Sequence, residues 1–220
     1  MKKRFVLSML AACCAAPALA DVNYSLSITQ PQHHLGNVSV EFPKSAQSHI
    51  DVKLPAWRTG RYEILNLANG VRYFAATDDN GNALKWEKIN HSTWRVHLAE
   101  PTHVNIDYQV YANELGKRAR HIDDSHAFID ASGFFMFSES FRQEPVTVDL
   151  KVPKAWRSVS GMENASNKHS FKAADYDVLV DSPIETGINK LHKFEADGRQ
   201  YELVIWGEGN YDEQLMLTDL

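Results

Sequence analysis

Apolar residues in this chain recur at every second position. Tyr24, Leu26 and Ile28 alternate with polar neighbours, as do Val38, Val40 and Phe42, then Ile50, Val52 and Leu54. Trp94, Val96 and Leu98 share one face, with Arg95 and His97 on the other. Val104, Ile106, Tyr108 and Val110 repeat the pattern, and so do Val146, Val148, Leu150 and Val152. Successive side chains of a strand point to opposite faces, so this period specifies half-buried strands. Turn chemistry separates the runs. Asp79-Asn80-Gly81 supplies positive φ at little cost, and Asp197-Gly198, between Leu191–Glu195 and Gln200–Trp206, predicts a hairpin. Pro55, Pro101, Pro145 and Pro153 fall at strand ends, where a missing N–H is tolerated. About ten short strands with few helical stretches predict an all-β, β-sandwich-like domain.

The two ends read differently. Lys2, Lys3 and Arg4 precede the apolar Phe5–Ala16, and Ala18-Leu19-Ala20 forms a small-x-small cleavage pattern before Asp21. This is the form of a secretory signal peptide over residues 1–20, with an apolar run too short for a transmembrane anchor. Export to the periplasm or the medium follows, with lipidation at Cys13 in Leu10-Ala11-Ala12-Cys13 as the alternative. Cleavage after Ala20 removes Cys13 and Cys14, so the mature chain needs neither a disulfide nor a redox role. It also removes Lys2, Lys3 and Arg4 but no acid, moving the net charge from −5 to −8. That balance argues against nucleic acid or anionic lipid as partners. About 200 residues then remain, enough for one domain with a sizeable core. At the other end, Tyr211, Leu215, Thr218 and Leu220 follow Gly207 and Gly209 at helical spacing, with Asp212 and Glu213 in the first turn. A short C-terminal helix is expected, and no capping residue closes it.

The densest polar cluster is Arg118-Ala119-Arg120-His121-Ile122-Asp123-Asp124-Ser125-His126, followed by Asp130. Zinc accepts both imidazole and carboxylate, but the spacing fits no familiar metal motif, and Arg118 and Arg120 would repel a cation. Pairing of these arginines with Asp123 and Asp124 would instead order the segment. A second reading makes the cluster the rim of a binding site, because it falls between a strand ending near Tyr111 and the apolar Phe134-Phe135-Met136-Phe137, where a loop is expected. A third has an accessory metal held by His121 and His126. His33-His34, His91, His97 and His103 read as solvated. Trp57, Trp94 and Trp156 read as core residues, with Trp86 and Trp206 undecided. No G-x-S-x-G elbow, phosphate-binding loop or G-x-G-x-x-G is present. Ser160-Gly161-Met162-Glu163-Asn164 resembles the G-x-M-E-N motif of alanyl-type zinc aminopeptidases. That motif works beside an H-E-x-x-H helix, a pattern that none of the ten histidines begins.

Longer matches carry more weight. Leu54-Pro55-Ala56-Trp57-Arg58-Thr59-Gly60-Arg61-Tyr62 resembles the L-P-x-W-x-x-G-x-Y signature of the glycyl aminopeptidase family, metallopeptidase family 61, with Thr59 where many relatives carry Pro. Tyr108–Leu115, His121–Phe128 and the stretch Asp175-Tyr176-Asp177-Val178-Leu179-Val180-Asp181-Ser182-Pro183-Ile184-Glu185-Thr186-Gly187 are similar to that family's amino-terminal domain in order and spacing. The resemblance implies an amino-terminal β-domain over residues 21–208. Residues 209–220 would begin a helical catalytic domain whose H-E-x-x-H lies outside this chain. Zinc and the general base would belong to that domain, so no catalytic and no metal-binding residue carries over here. The β-domain would pack on the catalytic domain and help wall its substrate cleft, with Arg118, Arg120, His121, Asp123, Asp124 and His126 as rim candidates. Leu215, Met216 and Leu220 would then be partly exposed. A stand-alone periplasmic binding or carbohydrate-recognition sandwich is the alternative.

Overall fold

The alternating runs become strands. The computed structural model describes residues 21–57, 64–116 and 120–218. The signal-peptide reading of residues 1–20, Arg118, Leu220 and the Arg58–Tyr62 part of the signature lie outside them. In chain order the strands are β1 (Val22–Ser27), β2 (Leu35–Ser45), β3 (His49–Lys53), β4 (Val71–Thr77), β5 (Trp86–Asn90), β6 (Thr93–His97), β7 (Thr102–Tyr111) and β8 (His121–Ile122). They continue as β9 (His126–Ile129), β10 (Val146–Lys151), β11 (Arg157–Ser160), β12 (Glu163–Asn164), β13 (Ser170–Ala173), β14 (Ile184–Gly187), β15 (Asn189–Ala196) and β16 (Arg199–Trp206). The helices are short: α1 (Ala131–Phe134), α2 (Tyr176–Val180) and α3 (Glu213–Thr218). The architecture is all-β.

A seven-stranded sheet in the order β12-β13-β10-β1-β2-β7-β4 forms the main layer. β1 runs parallel to β10, with Val22 beside Val146 and Leu26 beside Leu150, and antiparallel to β2. The alternating residues Tyr24, Leu26, Val38, Val40, Ile106 and Val148 are buried. Phe134–Phe137, also buried, is tied to the same strands by two tyrosines. Tyr24 Oη donates to the Met136 carbonyl (2.9 Å). Tyr108 Oη donates to the Phe134 carbonyl (2.7 Å) and accepts from the Met136 N–H (2.8 Å). A buried non-strand backbone needs such partners, and a phenol supplies them from an otherwise apolar ring.

Smaller sheets complete the structure. One has the order β11-β14-β9-β8, a second β3-β6-β5, and β15 pairs with β16 alone. In the second, Asp51 stands opposite Arg95 and accepts from Nε (2.7 Å) and Nη2 (2.8 Å). The β15–β16 turn places Asp197 and Gly198 at φ 51° and 73°, both left-handed, as a two-residue hairpin turn of this twist requires. α3 begins where Asp212 accepts from the Leu215 N–H (3.0 Å), and Glu213 pairs with Lys190 and His192 of β15. Leu215 is 60% exposed and Met216 half-buried. No helix among the described residues is long and apolar enough to cross a membrane.

Candidate site around His121 and His126

The polar cluster at 120–130 is built of strand and turn. β8 and β9 pair His121 with Phe128 and Ile122 with Ala127, leaving Asp123–His126 as a tight turn. The loop expected there is absent because Asp123 organises the turn: its Oδ1 accepts from Ser125 N (2.8 Å), Ser125 Oγ (2.7 Å) and His126 N (2.9 Å). Asp124 is exposed, whereas Arg120, His121 and His126 are buried. The expected pairing of Arg120 with Asp123 and Asp124 is not what forms. Arg120 Nη1 instead donates to the Leu67 carbonyl (2.6 Å) and the Gly133 carbonyl (3.0 Å). A buried guanidinium is a strong donor to main-chain carbonyls outside the strand ladders.

The sheet register places His121, Asp123, His126 and Glu185 on one face. β14 aligns Glu185 with Phe128 and Gly187 with His126. His121 Nε2 meets Asp123 Oδ2 at 3.0 Å, and His126 Nδ1 meets Glu185 Oε1 at 3.0 Å. Burial works to raise the Asp123 pKa, but the hydrogen bonds from His121, Ser125 and the His126 backbone outweigh it and hold the carboxyl well below the usual range. Gly187 is required here: a Cβ at this position would sit 2.4 Å from the Cβ of His126. Trp206, from β16, covers the other side of the His126 ring and donates from Nε1 to Ser125 Oγ (3.0 Å). One potential ligand atom from each of His121, Asp123 and His126 lies within 4.8 Å of the others.

Further along β9, Phe128 and Asp130 line a cleft of about 1030 Å³ together with Leu54, Trp57, Thr93 and Tyr176. Trp57 is 55% exposed, which corrects its assignment to the core, while Trp94 and Trp156 are buried as expected. The Asp175–Gly187 stretch serves both regions. Asp175 caps α2 by accepting from the Val178 N–H, Tyr176 Oη donates to the Phe135 carbonyl, and Asp177 pairs with Arg142. Its last residues, Glu185 and Gly187, belong to the histidine face. Periodicity gave no sign of their role, nor of that of Trp206.

The remaining motifs resolve simply. His97 and His103 are exposed and face Glu87 and Asp79. His34 differs from the solvated role expected of it, since its ring Nδ1 contacts the Ile122 carbonyl. Glu163 and Asn164, of the G-x-M-E-N-like string, form β12 on the sheet edge, where Glu163 pairs with Lys172.

Comparison with known proteins agrees with this architecture. An aminopeptidase N family protein from Idiomarina loihiensis superposes with a TM-score of 0.83 at 24% identity, covering 90% of this chain and 34% of that one. An M1 zinc metallopeptidase from Deinococcus radiodurans, a mutant bound to a Tyr-Ser-Ala substrate, gives a TM-score of 0.53 at 12% identity, covering 84% and 46%. At these identities the likeness is one of fold, and the chain spans about a third and under half of the two proteins. No curated protein matches the sequence. The sequence itself matches the peptidase M61 N-terminal domain over residues 23–188, and the chain therefore belongs to that family.

Proposed function

We propose that this chain is the non-catalytic amino-terminal β-domain of an exported zinc-dependent aminopeptidase, and that it packs on a catalytic domain and helps wall its substrate cleft. The observation that carries the reading is the family match over residues 23–188, joined to a fold likeness that covers 90% of this chain but 34% of its Idiomarina relative. Zinc belongs to the catalytic domain: none of the ten histidines here begins an H-E-x-x-H helix, so these residues do not suit that catalytic ion. Residues 21–208 are the β-domain and 209–220 the start of the next one. The exposed Trp57 at the cleft mouth and the half-exposed face of α3 are apolar surfaces suited to a covalently linked neighbour. Asp124, the exposed member of the 118–130 cluster among the described residues, is the group best placed to reach a cleft rim. The basic, apolar and small-residue pattern of residues 1–20 supports export with cleavage after Ala20.

Peptide mapping of the native polypeptide tests this. It should yield peptides of this chain and of an H-E-x-x-H segment on one molecule, with an N-terminus at Asp21. A native species consisting of this chain alone and binding a glycan tightly would overturn it.

A further inference from the structure

The histidine face carries a feature that a satisfied core would lack. Each of its two imidazoles has one nitrogen on a carboxylate, His121 on Asp123 and His126 on Glu185, both at 3.0 Å. A carboxylate draws the ring proton to the nitrogen that it faces, and so leaves a lone pair on the other. Those other nitrogens, His121 Nδ1 and His126 Nε2, are buried and have no hydrogen-bond partner among the described residues. The two rings lie 5.1 Å apart. Buried acceptors without a donor are costly and rare, and two in neighbouring rings call for a common cause.

We propose that His121 Nδ1 and His126 Nε2 bind one divalent transition ion of the zinc class, with Asp123 orienting the His121 ring and Glu185 the His126 ring. Imidazole nitrogen suits zinc, cobalt or nickel, whereas calcium and magnesium require shells of oxygen. An imidazole whose second nitrogen is held by a carboxylate is the usual outer arrangement of a zinc-bound histidine. The charge balance also favours a cation. Asp123 and Glu185 face the cluster, and Arg120, whose proximity in sequence argued against a metal, is directed to the carbonyls of Leu67 and Gly133. Trp206 lies against one face of His126, closing the site from that side. The role of the ion is structural: it ties the β8–β9 turn to β14 through Glu185 and takes no part in hydrolysis. The inference does not depend on the proposed neighbouring domain.

The test uses the full chain after treatment with a chelator and dialysis. Titration with Zn²⁺ should show one equivalent bound tightly and a rise in Tm. Co²⁺ should give the visible absorption of a low-coordinate nitrogen–oxygen site. Glu185→Gln should weaken zinc binding about 10- to 100-fold, as loss of an outer partner does. His121→Ala/His126→Ala should abolish the tight equivalent, while the exposed pair member His97→Ala should leave it intact. The double variant removes two buried side chains, so Asp123→Asn with far-UV circular dichroism provides a milder check and should also weaken binding at least tenfold. Zinc uptake equal in wild type, folded Asp123→Asn and Glu185→Gln would overturn the proposal, as would no tight equivalent in wild type.

Discussion

Trp206 lies flat on His126, with ring centroids 3.4 Å apart and planes 13° from parallel. The stack joins the last hairpin to a turn some eighty positions earlier, and the Nε1 hydrogen bond to Ser125 fixes its register. Trp206→Ala should remove both contacts and cost about 2 kcal/mol, less than a fully buried indole because Trp206 is only partly buried. Urea unfolding measures this. Trp206→Phe should recover roughly half by restoring the stack without the N–H.

Gly187 and Gly161 provide a matched pair. A Cβ on Gly187 would meet His126 Cβ at 2.4 Å and the Ser125 carbonyl at 2.7 Å, whereas one on Gly161 meets nothing within 4 Å. Gly187→Ala should destabilise by about 3 kcal/mol through forced displacement of β9 from β14. Gly161→Ala should change stability by less than about 0.5 kcal/mol. Thermal denaturation of the two variants side by side decides it.

Arg120→Lys should be far from conservative. The Nη1 of Arg120 serves two main-chain carbonyls from a rigid fork, and its guanidinium packs so closely that a Cβ on Gly70 would lie 2.2 Å from Nη2. A flexible ammonium leaves at least one buried carbonyl unpaired, at a cost of about 2 kcal/mol or more. Chemical denaturation checks the size, and a shift below about 0.5 kcal/mol would contradict it.

Asp123 makes stability depend on acid. Its folded carboxyl titrates below the unfolded value because hydrogen bonds to the carboxylate outweigh burial. A depressed folded pKa contributes stability that is full above the unfolded value, near 4, and fades as pH falls through the folded one. Asp123→Asn should therefore be less stable than wild type by about 1–2 kcal/mol at neutral pH, with the gap closing below about pH 4. Denaturation midpoints from pH 7 to 2 measure it, and a gap that widened in acid would contradict the assignment.

The strands that were legible in sequence are those with one face in the core. Val38, Val40 and Phe42 or Ile106, Tyr108 and Val110 must alternate because the main sheet buries one side. β5 escaped because every residue from Trp86 to Asn90 is exposed, so burial imposes no period. β4 escaped because its pairing with β7 slips between Arg72 and Ala75, where Tyr73 takes φ 54°. The site was legible in part. His121, Asp123 and His126 stood out as a polar cluster, but their neighbours Glu185, Gly187 and Trp206 arrive through strand pairing and hairpin docking, which local spacing does not encode. Arg120 was misread for a related reason, since carbonyls in need of a donor leave no mark on sequence.

The proposed role is that of a β-domain serving a catalytic domain that carries the chemistry. Hydrolysis of a glycyl chromogenic amide, measured for this chain, for the proposed H-E-x-x-H domain, and for the two together, tests that role most directly. Expected are no turnover by the chain alone, a reduced kcat/KM for the isolated catalytic domain, and recovery when both are present. Chelator-sensitive turnover by this chain alone, or a kcat/KM of the catalytic domain indifferent to its presence, would contradict it.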